Sequence, residues 1–229
     1  MWYVDLRYKE YSWTLDLQYK LRAARQEGKI PDILILVEHP PVITLGSAAD
    51  EKHVLVNSAQ LTGDGIGLYK TNRGGDVTYH GPGQLVGYPI IDLRDQHRDM
   101  HLYLRNIEEM LIRTLEIFHL KGSRKKGYPG VWIGNRKVAA IGIAISRWVT
   151  MHGFALNVST NLKHFSFIVP CGISQFGVTS LVEELSSDVD MAIVKKEVIK
   201  SFSNIFSKED MEEYPEHALL ELLNVSRVI

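Results

Sequence analysis

The stretch from Arg73 to Ile90 constrains the fold more than any other part of the chain. It contains five glycines and two prolines between apolar runs, and glycine at this density lets the backbone adopt positive φ and approach a ligand closely. The alternation from Val77 to His80 predicts a short strand, which the following Gly81-Pro82-Gly83 ends in a turn. By spacing alone, a surface hairpin and the wall of a binding pocket explain the stretch equally well.

Strand and helix patterns alternate along the remaining chain. Residues 32–38 are an aliphatic run typical of a strand buried on both faces, and His39-Pro40-Pro41 ends it as a turn before a second strand begins at Val42. Period-two patterns predict further strands at 1–7, 85–93 and 149–158, and a hairpin with a Gly-Asn turn at 131–145. Helical spacing predicts helices at 8–27, 95–120, 180–185 and 188–206, and another in the tail after 209.

These elements indicate an α/β (α+β) fold with a mixed, largely antiparallel sheet packed against helices. At 229 residues the chain fits a single catalytic domain, with residues 186–229 as a helical C-terminal part packed on it. In the helix predicted at 95–120, the apolar side chains form the core face, so Glu108, Glu109 and Arg113 are expected to face solvent.

Composition excludes several classes of protein. The net charge of −1 gives no overall attraction to nucleic acid or to a membrane surface. Cys171 is the single cysteine, so neither an intrachain disulfide nor a cysteine-based zinc site is available, and we predict no metal site. The apolar runs are too short to span a bilayer, and the N-terminus lacks a secretory pattern, so we expect a cytoplasmic protein.

Four blocks resemble a known family and occur in that family's order. They are residues 73–90, 134–143, 152–157 and 169–173, and the similarity extends over roughly residues 30 to 185. Together they resemble the lipoyl(octanoyl) transferases, or octanoyl-acyl carrier protein:protein N-octanoyltransferases, of the biotin/lipoate protein ligase-like superfamily. One block would be weak evidence, whereas four in order are specific.

The resemblance implies the residues of the site. It implies that Cys171 and Lys137 are the catalytic pair, with His80 and His152 as candidate helpers. It also implies that residues 32–45 form the family's first core hairpin. The residues implied to bind the acyl group are Arg73, Gly74, Gly75, Asp76, Val77, Thr78, Tyr79, His80, Ala140, Ile141, Gly142, Gly153, Phe154 and Ala155.

The residues themselves make a Cys–Lys pair chemically reasonable. A lone cysteine is usually a small buried hydrophobe, but Cys171 lies on a Pro-Cys-Gly turn that can expose the sulfur. A free thiol has a pKa of ~8.5, and lowering it by ~2 units requires about 2.7 kcal/mol. An ammonium ~4 Å away supplies on the order of 4 kcal/mol at an effective dielectric constant of ~20, before desolvation. Lys137 begins an apolar run. Desolvation there would favour the neutral amine, whereas a nearby thiolate would favour the charged ammonium.

The resemblance also implies the partners and the absence of a separate cofactor. The octanoyl group would arrive on the phosphopantetheine of acyl carrier protein. The acceptors would be lipoyl domains of 2-oxoacid dehydrogenases and the glycine cleavage H protein. The basic loop at 121–127 is a candidate contact for such acidic partners. Acyl transfer from a thioester needs no ATP, and the chain accordingly lacks a P-loop motif. We also expect the protein to be a monomer.

Three other functions fit the residues. An ATP-dependent lipoate or biotin ligase on the same fold would activate a free acid and would need no nucleophilic cysteine. A cysteine thioesterase would use water in place of the acceptor amine. A non-catalytic module that binds acyl carrier protein would keep Cys171 only as a structural residue.

Overall fold

A computed structural model of the chain describes residues 1–96, 98–172, 175–208 and 211–225, and at 95 and 171 it describes the backbone alone. The helices are α1 (Tyr11–Gln26), α2 (Ser58–Gly63), α3 (Met100–Ile117), α4 (Leu181–Leu185), α5 (Met191–Phe206) and α6 (Glu216–Leu222). The strands are β1 (Trp2–Tyr8), β2 (Ile33–Glu38), β3 (Val42–Leu45), β4 (Gly67–Lys70), β5 (Val77–His80), β6 (Gln84–Ile90), β7 (Ser123–Lys125), β8 (Tyr128–Ile133), β9 (Arg136–Ser146), β10 (Val149–Asn157), β11 (Gly177–Val178) and β12 (Glu212–Glu213).

Two sheets form the frame. The large sheet has nine strands in the order β12-β1-β2-β6-β10-β9-β8-β7, with β11 pairing on β9, and the small sheet has the order β4-β3-β5. In the large sheet β1 runs parallel to β2 and β12, and β11 runs parallel to β9, while the other pairs are antiparallel. The predicted mixed, largely antiparallel sheet is therefore confirmed.

The prediction that residues 32–45 form a hairpin is wrong. β2 pairs with β1 and β6 in the large sheet, whereas β3 pairs with β4 and β5 in the small sheet. The two prolines after His39 cannot donate backbone hydrogen bonds, so the chain leaves the large sheet at this point. His39 is also more than a turn residue, because its ring is fully buried and hydrogen bonded on both nitrogens.

Apolar side chains cover both faces of the large sheet. The alternation in β2 shows the division: Leu34 and Leu36 belong to the core under α3 and α5, while Ile33, Ile35 and Val37 belong to the core under α1 and α6. A third cluster fills the small sheet. The C-terminal part contributes to both large cores, through Val194, Val198 and Phe202 of α5 and Leu219 and Leu220 of α6.

The prediction that Glu108 faces solvent is wrong. Its side chain is 1% exposed and accepts hydrogen bonds from the guanidinium groups of Arg105 and Arg124 and from the backbone N–H of Gly130. Arg124 lies in β7 and Gly130 in β8, so the Glu108 side chain points from α3 towards this edge of the sheet. The predicted basic loop accordingly includes a short edge strand, β7, held in place by these contacts.

Candidate functional site

A cavity lies between the glycine-rich stretch and the large sheet, on the face covered by α1. It encloses about 480 Å³ of space with its open mouth included. Its walls come from the start of α1, the turn before β5, and strands β5, β6, β9 and β10. The lining residues are Tyr11, Arg73, Gly74, Gly75, Asp76, Thr78, His80, Val86, Tyr88, Ala140, Ile141, Gly142, His152, Gly153, Phe154 and Ala155.

Most of the residues predicted to bind the acyl group meet at this cavity, but two do not. Val77 and Tyr79 are buried on the other face of β5, in the core of the small sheet. Successive strand residues point to opposite faces, so only Thr78 and His80 of β5 face the cavity. The expectation that the whole run lines the acyl pocket is corrected at these two positions. Burial raises the pKa of Tyr79 to about 12, and its hydroxyl lies 2.7 Å from Nδ1 of His164.

The glycine turn closes the cavity by resting on the edge of β9. The backbone N–H of Gly74 donates to the carbonyl of Ile143 at 2.8 Å. A Cβ at Gly142 would lie 3.0 Å from the Gly74 carbonyl oxygen and 3.1 Å from Cδ of Arg73, so the approach requires glycine there. Gly75 has a φ of +88°, a conformation that side-chain-bearing residues rarely adopt.

Arg73 fixes the turn to the small sheet. Its side chain is nearly fully buried, and it donates from Nε and Nη2 to the Thr44 hydroxyl at 3.1 and 2.9 Å. Nη2 also donates to the Thr44 carbonyl at 2.7 Å. A buried guanidinium held by several acceptors provides a fixed positive charge beside the cavity.

Three buried histidines lie in or next to the cavity lining: His80 and His152 line it, and His39 lies edge-on to the His80 ring. Desolvation lowers the pKa of His39 to about 4, despite the opposing effect of its hydrogen bond to Lys9. For His80 and His152, desolvation is again the largest cause, and the charge of Arg73 adds to it, so that both pKa values fall to about 3. The rings are therefore neutral, and they add no charge to the cavity wall.

Hydrogen bonds fix a tautomer for each of these histidines. Nδ1–H of His39 donates to the Lys9 carbonyl, which leaves Nε2 to accept from the Tyr88 hydroxyl at 2.8 Å. Nδ1 of His80 lies 2.7 Å from Oε1 of Gln84, and Nε2 of His152 lies 2.8 Å from Oδ1 of Asn72. His80 and His152 were predicted as helpers, and both line the cavity.

Sequence reasoning missed the aromatic wall of the cavity. Tyr11 was assigned to a packing helix, yet its ring stacks on His80 with centroids 6.0 Å apart. Tyr88 lies in β6 and also lines the cavity. Both residues fit a core pattern in sequence, so the alternation and helical spacing contained no signal that separated them from ordinary packing residues.

The turn that bears Cys171 borders the cavity through Asp76. Residues Pro170–Gly172 form a 3-10 helix. The Asp76 carboxylate lies against its last residue, because a Cβ added to Gly172 would be only 2.7 Å from Oδ2 of Asp76. Asp76 also accepts a short hydrogen bond from Nδ1–H of His53. His53 in turn holds the segment before the turn, because its carbonyl accepts from the N–H of Val169 at 2.8 Å. The Cys171 side chain itself is outside the described part of the structure.

Lys137 lies near the start of β9 with its side chain buried. Its ammonium is 4.9 Å from the centroid of the Trp132 ring, and its carbonyl accepts from the N–H of Thr179 at 3.0 Å. β11, only a few residues after Cys171, pairs with β9 at this position. The segments that bear Cys171 and Lys137 are therefore joined through a strand pair.

None of the helices in the ranges given above is both long enough and apolar enough to cross a membrane. Within the same ranges, no three His, Cys, Asp or Glu side chains are grouped so that they could hold a metal ion.

Comparison with known proteins identifies the family from the sequence. The profile of the lipoyl protein ligase A/B catalytic domain matches residues 10–203. An octanoyltransferase of Alkaliphilus metalliredigens is 51% identical over 91% of this chain and 96% of its own length. One of Gloeobacter violaceus is 54% identical over 77% of this chain and 76% of its own.

Solved structures agree on the fold. A crystal structure of lipoate-protein ligase A bound with ATP superposes with a TM-score of 0.76 at 19% identity, covering 96% of this chain and 93% of that one. A biotin protein ligase from Aquifex aeolicus superposes with a TM-score of 0.52 at 16% identity, covering 91% and 70%. The predicted likeness to lipoate and biotin ligase catalytic domains is confirmed.

Proposed function

We propose a two-step acyl transfer for this chain, which belongs to the lipoyl protein ligase A/B catalytic domain family. The protein is an acyltransferase that transfers octanoyl groups in protein lipoylation, and its relatives of about half-identical sequence are named octanoyltransferases. In our proposal the donor is an octanoyl thioester on acyl carrier protein, and the acceptor is a lysine of a lipoyl domain. The intermediate is a thioester on Cys171.

A single observation carries the proposal. Asp76 lines the cavity and also packs against the backbone of Gly172, so the turn with the nucleophile borders the space that would hold the acyl chain. Burying each CH₂ contributes roughly 0.8 kcal/mol, so a cavity of this kind favours a medium-length chain over a shorter one. The neutral histidines and the small residues Ala140, Gly142 and Ala155 suit the cavity to an alkyl group.

In the first step the Cys171 thiolate attacks the carbonyl carbon of the donor thioester. The bond to the phosphopantetheine sulfur breaks, and that sulfur takes a proton from the Lys137 ammonium. In the second step the acceptor amine attacks the acyl-enzyme, the bond to Cys171 breaks, and an amide forms. The amine's surplus proton returns to Lys137, so no other reagent is consumed. Transfer from a thioester to an amide is downhill, and this mechanism uses no ATP and no further cofactor.

The deciding experiment is intact-mass analysis after the protein is mixed with octanoyl-acyl carrier protein without ATP. We expect an octanoyl adduct on Cys171, none on the Cys171→Ala variant, and disappearance of the adduct when an apo lipoyl domain is added. Lys137→Ala should form the adduct slowly, most severely at low pH where the thiolate is scarcest.

Other outcomes of this experiment would identify other functions. A requirement for ATP and free octanoate would indicate a ligase, and release of octanoate with no modified acceptor would indicate a thioesterase. Unchanged function in Cys171→Ser would indicate a module that only binds the carrier protein. The ligase and binding-module results would contradict the proposed intermediate, and the thioesterase result would contradict the proposed transfer to an amine.

A further inference from the structure

A second concave surface, which we name the α3 groove, lies beside the N-terminal end of α3. The residues that define it are Met100, Leu104, Arg105, Lys125, Tyr128 and Ile143. Ile143 of this groove packs with the core under α3 and α5. The acyl-transfer mechanism described above assigns no role to this groove.

The α3 groove and the acyl cavity meet at the edge of β9. Gly74, Gly75, Ile141 and Gly142 line both of them. Along β9, the pairing with β8 ends at Ala139. The next backbone hydrogen bond on this edge is the one from Gly74 of the glycine turn to Ile143. The edge between these two points borders both spaces, so a molecule lying in the groove can reach the cavity mouth here.

Two residues just before β11 contact Tyr128, which lines the groove. Nε2 of Gln175 donates to the Tyr128 hydroxyl at 3.0 Å, and the Phe176 ring packs edge-on against Tyr128 with centroids 5.5 Å apart. The Cys171 turn lies against the cavity through the contact of Asp76 with Gly172. A substrate that places its reacting bond at this turn would extend one part into each space.

The chemistry of the groove suits a long, partly polar arm that carries an anion. Leu104 and Ile143 supply an apolar floor. The ammonium of Lys125 lies 3.9 Å from the Phe176 ring centroid and 2.8 Å from Oδ1 of Asn135. Lys125 itself lines the groove, and among the described residues no carboxylate forms an ion pair with it within 4.0 Å, so its charge is balanced only by neutral partners.

The other cation of the groove is already engaged. Arg105 is half exposed, but its guanidinium pairs with the buried carboxylate of Glu108 at 2.6 Å. Lys125 is therefore the better candidate for an incoming anion.

We propose that the α3 groove binds the 4′-phosphopantetheine arm of the acyl donor, with the Lys125 ammonium contacting its phosphodiester. This inference rests on the proposed function, since it assumes a thioester donor. The acceptor lysine is a less suitable occupant, because its side chain is short and cationic and would be repelled by Lys125. The arm, in contrast, is long and carries its negative charge at the end remote from the thioester.

The test uses two small donors, the octanoyl thioesters of 4′-phosphopantetheine and of pantetheine, which differ only in the phosphate. The rate of acyl-enzyme formation gives kcat/KM for each. The wild-type protein should prefer the phosphorylated donor by about three- to tenfold, the range expected of one charge-assisted contact. Lys125→Ala should lose this preference because its rate falls more with the phosphorylated donor than with octanoyl-pantetheine, and Lys125→Arg should retain the preference.

The neighbouring Lys126 is the matched control, because it is exposed and outside the groove lining. Lys126→Ala should behave as the wild type. Equal rates with the two donors in the wild type, or an equal loss of both rates in Lys125→Ala, would overturn the groove assignment. So would a Lys125→Ala defect confined to transfer onto the lipoyl domain. Failure of the proposed function gives a different result, since neither donor would then acylate the wild-type protein.

Discussion

Mild acid is expected to destabilise this protein, because its acyl cavity depends on buried neutral histidines. His39, His80 and His152 are almost fully buried, and their pKa values in the folded state are lowered to about 4, 3 and 3. In the unfolded chain each would titrate with a pKa of ~6.5. Below that value the unfolded state binds more protons than the folded state, so the free energy of unfolding falls as the pH falls.

The magnitude follows from the two pKa values of each group. Between pH 7.5 and 5.5 the folded rings stay neutral, whereas each unfolded ring gains most of a proton. At pH 5.5 each histidine therefore lowers the free energy of unfolding by about 1.4 kcal/mol relative to pH 7.5, and the three together lower it by about 4 kcal/mol. This is a large fraction of the 5–15 kcal/mol typical of folded proteins. The loss should continue as the pH falls towards the folded pKa values, and stability should be level above about pH 7.5.

Urea unfolding at pH 7.5, 6.5 and 5.5, at constant ionic strength, measures this dependence. His39→Leu should reduce the decrease between pH 7.5 and 5.5 by about one third, whatever its effect on absolute stability. His217 is exposed, so His217→Gln should leave the decrease unchanged. A wild-type stability that stays constant or rises on acidification over this interval would refute the assignment of buried neutral rings.

Two further predictions concern single contacts. Glu108→Ala removes the carboxylate that accepts from the buried N–H of Gly130 and from the guanidinium groups of Arg105 and Arg124, although Arg124 still pairs with Glu109. We therefore expect a loss of about 2–3 kcal/mol in urea unfolding, against less than ~1 kcal/mol for Glu109→Ala. Gly142→Ala places a methyl group 3.0 Å from the Gly74 carbonyl oxygen and should displace the glycine turn. We expect slower acyl-enzyme formation with a retained unfolding transition, and wild-type acylation kinetics would contradict this.

Local patterns predicted the elements well, because their signals are contained in short windows. The helical spacing behind α1, α3 and α5 and the Gly-Asn turn between β8 and β9 each rest on near neighbours in sequence. Pairing between strands was harder. β2 and β3 adjoin in sequence but belong to different sheets, and β12 pairs with β1 from the opposite end of the chain. Two-residue strands such as β11 and β12 are too short for alternation to be visible.

The site shows the same limit. The resemblance supplied the residues of the glycine turn, but it could not show that strand alternation turns Val77 and Tyr79 away from the cavity. Glu108 was assigned to solvent because helical spacing ignores partners from other elements, and Arg124 and Gly130 lie 16 and 22 residues further along the chain. A burial pattern set by distant segments has no local signature.

The turn that bears Cys171 shows how far a local position depends on distant segments. It is held by His53 through Val169 and by Asp76 of the glycine-rich stretch, which lies against Gly172. Both anchors lie far from the turn in sequence, and both act on the backbone next to Cys171, so they hold that backbone in place. In the mechanism proposed above, a preorganised nucleophile reduces the ordering cost of the reaction, so the two anchors would contribute to catalysis although they contact no reacting atom.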